Sequence, residues 1–321
     1  MQGLVTVIGG SGFLGRYVVR ALAKQGWRIR VGVRRPHLAH ELRVMGDVGQ
    51  IELIQTNMRY PDSVARVVEG SQACVNLVGV LYQAGKQGFH ALHVDGARAL
   101  AEQAKAAGAQ RFVQISAIGA DTASPSQYAS TKGGGEAAVR EAFPGATILR
   151  PSIVFGPEDD FFNRFAAMAA MSPVLPLIGG GGTRMQPVYV GDVGSAVAAC
   201  LADPATAGHT YELGGPGVYT FKQLMELMLR EIHSRRMLVP IPTPAAKLMG
   251  RVGDLQTMVL PFLPPQITLD QVLMLGRDNV ADPAAPGLQA LGVTPTPLEG
   301  VLPGYLWKYR RGGQFAPPEG A

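Results

Sequence analysis

Between an apolar run at residues 4–8 and a helical pattern over 13–25, the chain places three glycines, Gly9, Gly12 and Gly15, each three residues apart. Glycine permits a tight turn there and lets backbone amides approach a pyrophosphate. The helix that follows aims its first N–H groups and the positive end of its dipole at the same place. Strand, glycine loop and helix in that order open a dinucleotide-binding βαβ fold, and Phe13, Leu14 and Arg16 sit in the turn that would face the phosphates.

Such an opening needs a parallel sheet, and the first half of the chain supplies the runs for one. Residues 29–33, 51–55, 74–78, 112–116 and 147–149 read as further strands, separated by helical windows at 61–69, 91–107 and 128–143. Strands this apolar need helices on both faces, which predicts an α/β, doubly wound parallel Rossmann sheet with a smaller, irregular C-terminal region. The expected dinucleotide domain is 1–155 with a return segment at 188–216. Residues 156–187 and 217–310, interrupted by glycines at 179–182 and by Pro-rich stretches at 240–244 and 261–265, form a substrate- or partner-facing region. The last stretch, 311–321, lacks apolar periodicity and reads as a flexible tail.

Cofactor preference follows from charge. An NAD site usually carries an acid about 20 residues past the glycine loop to bind the ribose 2′-hydroxyl. Here no acidic residue occurs before Glu41, and Arg34 and Arg35 stand just past the second strand. Guanidinium groups bind phosphate through forked, charge-assisted hydrogen bonds, so the expected cofactor is NADPH, its 2′-phosphate on Arg34 or Arg35 with support from Arg16.

A second constellation carries reaction chemistry. Tyr128 and Lys132 are four apart in a helical window and so share a face, while Ser116 ends the preceding strand. An ammonium beside a phenol favours its ionised form, so that Tyr128 can exchange a proton with a carbonyl oxygen held by Ser116. Three consecutive glycines, 133–135, follow at once; each costs a helix roughly 1 kcal/mol relative to Ala and implies close backbone packing.

Composition bounds the partners. A 17% charged fraction is low for a soluble domain, and the net charge of +5 is spread along the chain with no zinc-finger or RNA-binding signature, so no nucleic acid is expected. Cys74 and Cys200 are too few and too isolated for a disulfide framework and read as buried thiols. The glycine loop begins too early to leave room for a signal peptide, and no apolar stretch is long enough for a transmembrane helix. His37 with His40, and His90 with His93, have ligand-like spacing but no third ligand, so they read as capping or surface histidines and no metal is expected. Asp159 and Asp160 read as solvated loop acids. Apolar segments flanked by Arg235, Arg236, Lys247 and Arg251 suit an anionic bilayer, a partner, or a core helix with a basic edge.

The glycine loop, AsnLeuValGly at 76–79, HisValAspGlyAlaArg at 93–98, and Ser116 with Tyr128 and Lys132 together resemble the short-chain dehydrogenase/reductase superfamily of the extended or atypical type. That resemblance implies Asn57 and Met58 near the adenine, Leu77, Val78 and Gly79 against the ribose, and Pro151, Ser152, Ile153 and Val154 beside the nicotinamide. A closer resemblance, running to about Arg310, rests on the segments 140–165, 186–193 and 264–272; it is to the dehydrogenase-like accessory subunits of respiratory complex I. It implies a tightly held NADPH with little or no turnover. It also implies the other subunits of complex I as partners, peripheral lipid contact near the quinone site, and a place on the cytoplasmic side of the inner (plasma) membrane. A free-standing NADPH-dependent reductase or epimerase/dehydratase acting on a small carbonyl or quinone-related substrate is the alternative, and a redox-sensing regulator a third reading.

Overall fold

The structure, a computed structural model, describes residues 3–315 apart from 84, 86, 260–264 and 266. The first 151 residues run β1 (Leu4–Ile8), α1 (Phe13–Lys24), β2 (Arg28–Val33), β3 (Ile51–Gln55), α2 (Pro61–Val68), β4 (Ala73–Asn76), α3 (Gly96–Ala106), β5 (Arg111–Ile115), α4 (Gln127–Ala142) and β6 (Thr147–Pro151). A seventh strand, Thr210–Leu213, joins β6, and the spatial order is Thr210–Leu213, β6, β5, β4, β1, β2, β3, every neighbour parallel. The order reverses between β1 and β4, the switch point at which open α/β sheets bind ligands beyond their strand ends.

Parallel strands must be apolar on both faces, and these are: Val5, Val7, Val31, Cys74, Val75 and Ile148 are fully or almost fully buried. One core joins Ile8, Cys74, Phe112 and Ile148 of the sheet to Val64 and Val67 of α2, Leu100 and Ala104 of α3, and Val139 of α4. Each such aliphatic side chain contributes about 1.5–3 kcal/mol on burial. The other layer pairs α1 with the helix Val190–Ala202, where Gly194 lies against the Tyr17 carbonyl. Both cysteines are buried free thiols, as the sequence suggests; burial raises both, Cys200 to about 12.

Two compact units emerge. The first comprises Met1–Pro151, Val190–Leu213 and Asp282–Thr294; the second comprises Ser152–Tyr189, Gly214–Ala281 and Pro295–Ala321. The return of Asp282–Thr294 to the first unit is not visible in the sequence. It is held by Glu212, whose N–H donates to the Pro286 carbonyl and whose carboxylate accepts the Asp282 N–H.

The second unit has its own core, in which Phe155, Phe162 and Phe221 pack with Leu224, Met225 and Met228 of the helix Phe221–Glu231 and with Leu302 and Leu306. Asp159 braces it. Contrary to its reading as a solvated acid, Asp159 is 2% exposed, its carboxylate accepting the N–H groups of Gly156 and Asn163 and the Tyr305 hydroxyl. Burial pushes its pKa up, against those three donors. Asp159→Ala is expected to destabilise the protein by about 2–4 kcal/mol, because it strands buried donors. Urea denaturation checks this, and a loss under 1 kcal/mol would show that water replaces the carboxylate.

The helix Thr243–Val259 is turned inside out. Its inward positions are Ala246, Gly250 and Gly253; a Cβ on Gly250 would lie 2.6 Å from the Leu269 Cα, and one on Gly253 only 1.9 Å from the Ile267 carbonyl oxygen. Four of its large residues, Leu248, Val252, Leu255 and Val259, are each at least 60% exposed, and Met249 is exposed as well. The reading of a core helix with a basic edge therefore fails. Of the expected tail, 311–315 carries a short turn at Gly313–Phe315, and 316–321 lies outside the described residues, as does most of the Pro-rich 261–265.

Candidate dinucleotide site

The glycine loop is built as its spacing demands. Gly9 has φ +85°, and a Cβ on Gly15 would sit 2.4 Å from the Gly9 carbonyl oxygen, so the loop folds onto the first turn of α1 only without side chains. Gly12 is the N-cap of α1 and offers no side-chain cap, and no acid occupies the first turn. Gly10, which the triplet spacing did not single out, packs just as closely: its Cβ would meet Val31 Cγ1 at 2.4 Å. Phe13, Leu14 and Arg16 open α1, and Arg16 donates to the Ser11 carbonyl at 3.2 Å and pairs with Glu41 at 3.4 Å.

Arg34 and Arg35 follow β2, exposed, with no ion pair among the described residues. Asn57 and Met58 follow β3. Asn57 donates its N–H to Ser63 Oγ and its Oδ1 accepts the Arg59 N–H, whereas the Met58 side chain belongs to the core beneath.

A continuous chain of contacts leads from the loop to the reactive groups. A Cβ on Gly9 would lie 3.3 Å from the Leu77 carbonyl carbon and from the Val78 nitrogen, and Val78 is held by its N–H donating to Asn76 Oδ1. Asn76 in turn donates to Gln114 Oε1, a buried polar pair that pins β4 to β5. Gly79 comes next, and a Cβ on it would be 3.2 Å from Lys132 Nζ. Lys132 donates to the Ile115 carbonyl at 3.3 Å, beside Ser116, and stands 5.8 Å from the Tyr128 ring centre. Ser116, Tyr128 and Lys132 thus converge. Pro151 closes β6, its carbonyl accepting the Ile118 N–H. Ser152, Ile153 and Val154 belong to the second unit, where Ser152 Oγ donates to Asn279.

Ser116 Oγ is buried and has no hydrogen-bond partner among the described residues. An unpaired buried hydroxyl costs about 1–3 kcal/mol, which a ligand oxygen or amide would recover. Together with the uncapped α1, it makes these residues fit a dinucleotide whose nicotinamide end reaches Ser116. Two hydroxyls beside a buried ammonium are chemically able to polarise and protonate a carbonyl oxygen.

His93 overturns its reading as a capping or surface residue. It is 2% exposed in a single π turn, Ala91–Asp95, that leads into α3. The Val80 N–H donates to Nε2 at 3.2 Å, which leaves Nδ1 to donate to Thr131 Oγ1, and the Thr131 hydroxyl donates to the Gln127 carbonyl. Burial, and then the Lys132 charge, lower its pKa to about 3, so it stays neutral. His90 does lie on the surface, against Asp95, and no three-residue metal cluster exists among the described residues. The glycines of α4 explain the approach: a Cβ on Gly135 would lie 2.0 Å from the His93 carbonyl oxygen, and one on Gly133 would lie 2.7 Å from the Thr122 nitrogen.

Lys132 itself is 5% exposed. Burial lowers its pKa to about 8, with Glu136 opposing the shift. Glu136 lies one turn on, buried, in a two-bonded pair with Arg150 at 2.7 and 2.9 Å, and Arg150 reaches Glu212 at 3.4 Å. Because the folded pKa lies below the ordinary 10.5, the unfolded chain holds more protons between about pH 8 and 10.5, and stability should rise with pH across that window. Urea midpoints measured over that range should show the rise in the wild type and not in Lys132→Met; parallel curves would contradict the lowered value.

Residues 5–214 match the family described as NAD dependent epimerase/dehydratase. The chain belongs to that family. Among its relatives, the mitochondrial NADH dehydrogenase [ubiquinone] 1 alpha subcomplex subunit 9 of Arabidopsis thaliana is 39% identical over 320 residues, 98% of this chain and 80% of that one. A ceramide reductase of Caulobacter vibrioides is 33% identical, covering 79% of this chain and 78% of its own. An NADPH-dependent quinone oxidoreductase of Escherichia coli, complexed with NADPH, shares the fold with TM-score 0.71 and 18% identity, over 94% of this chain and 98% of the other. For an epimerase/dehydratase family member, the sheet order and glycine loop are those of an NAD(P)-binding Rossmann domain.

Proposed function

We propose that this family member is an NADPH-binding accessory subunit of respiratory complex I, stabilising the junction of the hydrophilic and membrane arms near the quinone site with little or no turnover. The observation that carries this reading is that the similarity to the Arabidopsis subunit extends through the second unit as well as the dinucleotide unit. Arg34 or Arg35 holds the 2′-phosphate, with support from Arg16. The glycine loop holds the pyrophosphate, Leu77 to Gly79 face the ribose, and Ser116, Tyr128 and Lys132 hold the nicotinamide ribose and amide. A nucleotide that binds only the folded chain stabilises it by RT ln(1 + [L]/Kd), so a tight NADPH locks the surface shown to partners. The outward stripe of Leu248, Val252, Leu255 and Val259, flanked by Lys247 and Arg251, supplies contact with the anionic bilayer or a neighbouring subunit on the cytoplasmic side of the inner membrane. Among the described residues no helix is long and apolar enough to cross a membrane.

The test is purification from mildly solubilised membranes with mass spectrometry of what co-migrates. Complex I subunits together with stoichiometric NADPH are expected; a free protein that exchanges nucleotide rapidly would refute the proposal. The unpartnered Ser116 Oγ favours a second reading, reduction of a carbonyl, and the ceramide reductase relative points to a lipid-like one. Bound nicotinamide would supply hydride while Tyr128 gives the proton and Ser116 holds the oxygen. Steady-state NADPH oxidation abolished by Tyr128→Phe would establish that reading.

A further inference from the structure

The second unit contains a cavity of about 950 Å³ near the end of the helix Phe221–Glu231 and the start of the strand Met237–Ile241. Arg230, Arg235, Arg236 and Arg311 line it, together with His233. Two acids, Glu226 and Glu299, line it as well: Glu226 pairs with Lys222 at 3.7 Å, and Glu299 accepts the Tyr219 hydroxyl at 3.3 Å and keeps its charge, so the arginines of the lining outnumber its acids; Glu231 nearby pairs with Arg310 at 3.6 Å. Arg236 is engaged too, donating to the Ala169 and Arg235 carbonyls. That leaves Arg230, Arg235 and Arg311, all exposed and without an ion pair among the described residues.

Basic residues at a helix C-terminus have an ordinary explanation, since the carbonyl end carries about half a negative charge. Three uncommitted guanidinium groups exceed what half a charge can use. His233 adds an independent observation. It follows the helix C-cap with φ +51°, while the Ser234 N–H returns to the Leu229 carbonyl at 3.0 Å. Glycine is the usual residue in that left-handed position, and a histidine held there is strained. The strain places an imidazole on the wall of the same cavity.

We propose that this cavity binds a phosphate-bearing ligand, with Arg230, Arg235 and Arg311 as its charged grip and His233 as a further donor. Guanidinium groups match phosphate oxygens in a forked geometry, and the volume exceeds that of one phosphate, which suits a diphosphate or a phosphorylated headgroup. The site uses second-unit residues alone and rests on the function proposed above only for the bound NADPH used in its test.

The experiment uses the full chain saturated with NADPH, so that the glycine loop is not a competing anion site. Inorganic pyrophosphate is titrated by calorimetry. Flotation is measured with phosphatidylcholine vesicles with and without phosphatidic acid, in the presence and absence of pyrophosphate. Arg230→Gln with Arg235→Gln should weaken saturable pyrophosphate binding at least about tenfold. The exposed pair Arg66→Gln with Lys105→Gln, which changes net charge equally, should not, and an unchanged circular dichroism spectrum and melting curve show that both variants are folded. Pyrophosphate binding without flotation identifies a soluble ligand, and flotation competed away by pyrophosphate identifies a lipid headgroup; either pattern, lost only in the cavity variant, supports the site. Binding of neither probe, or equal loss in both variants, overturns it.

Discussion

Arg34→Glu combined with Arg35→Glu is expected to weaken NADPH binding by about 10²–10³ while changing NADH binding less than about tenfold. Each hydrogen bond to a charged group contributes about 1.5–3 kcal/mol, but both arginines are exposed, so salt and solvent screen part of that. The contrast between the two nucleotides carries the test, because they differ only at the 2′-phosphate. Fluorescence titration at low and high salt measures it: the NADPH preference should shrink as salt rises in the wild type and be absent from the variant. If the wild type binds NADPH no more tightly than NADH, the assignment of these arginines is wrong. If the variant loses NADPH but complex I still assembles intact, the nucleotide is not a structural ligand of the assembly.

Glu136→Ala should produce the largest loss of stability. Glu136 is 5% exposed and stands between two cations, Arg150 in two hydrogen bonds and Lys132 one turn back. Removing it leaves the buried Lys132 and the partly buried Arg150 without the acid they share, with Glu212 at 3.4 Å from Arg150 as the remaining one. Breaking a buried pair in this way costs about 3–5 kcal/mol, which at about 2–4 °C per kcal/mol is a drop in Tm of about 6–20 °C. Lys132, without the charge that raises its pKa, should titrate below 8, a shift visible by NMR of labelled lysine. Glu136→Gln keeps the hydrogen bonds and should lose less. A melting point within about 2 °C of the wild type would show that Arg150 is satisfied elsewhere.

The sheet was legible in the sequence because parallel strands covered on both faces must be unbroken apolar runs. β1 and β3 fall where the runs at 4–8 and 51–55 place them, and β2, β4, β5 and β6 fall within two residues of theirs. The glycine loop was legible for the same reason: its residue type is dictated by backbone geometry at the position itself. What escaped notice depends on distant partners. Nothing near Asp159 announces that Tyr305, 146 residues later, will bury it. His93 looks like any surface histidine until Gly135 allows α4 onto its carbonyl. The apolar character of the stretch flanked by Lys247 and Arg251 was legible, but nothing in it could say that Gly250 and Gly253 would face inward and leave the leucines out.

The dinucleotide unit is assembled from three separate stretches, the last of them Asp282–Thr294. On the ribosome, β6 is therefore synthesised with one edge bare, and it stays bare until Thr210–Leu213 arrives. An open strand edge pairs with whatever chain it meets. The nucleotide-binding unit, although begun first, is completed nearly last: a nascent chain halted short of residue 294 lacks the segment that hydrogen-bonds the outer side of Thr210–Leu213, so the sheet should gain its full stability only after most of the second unit has been made.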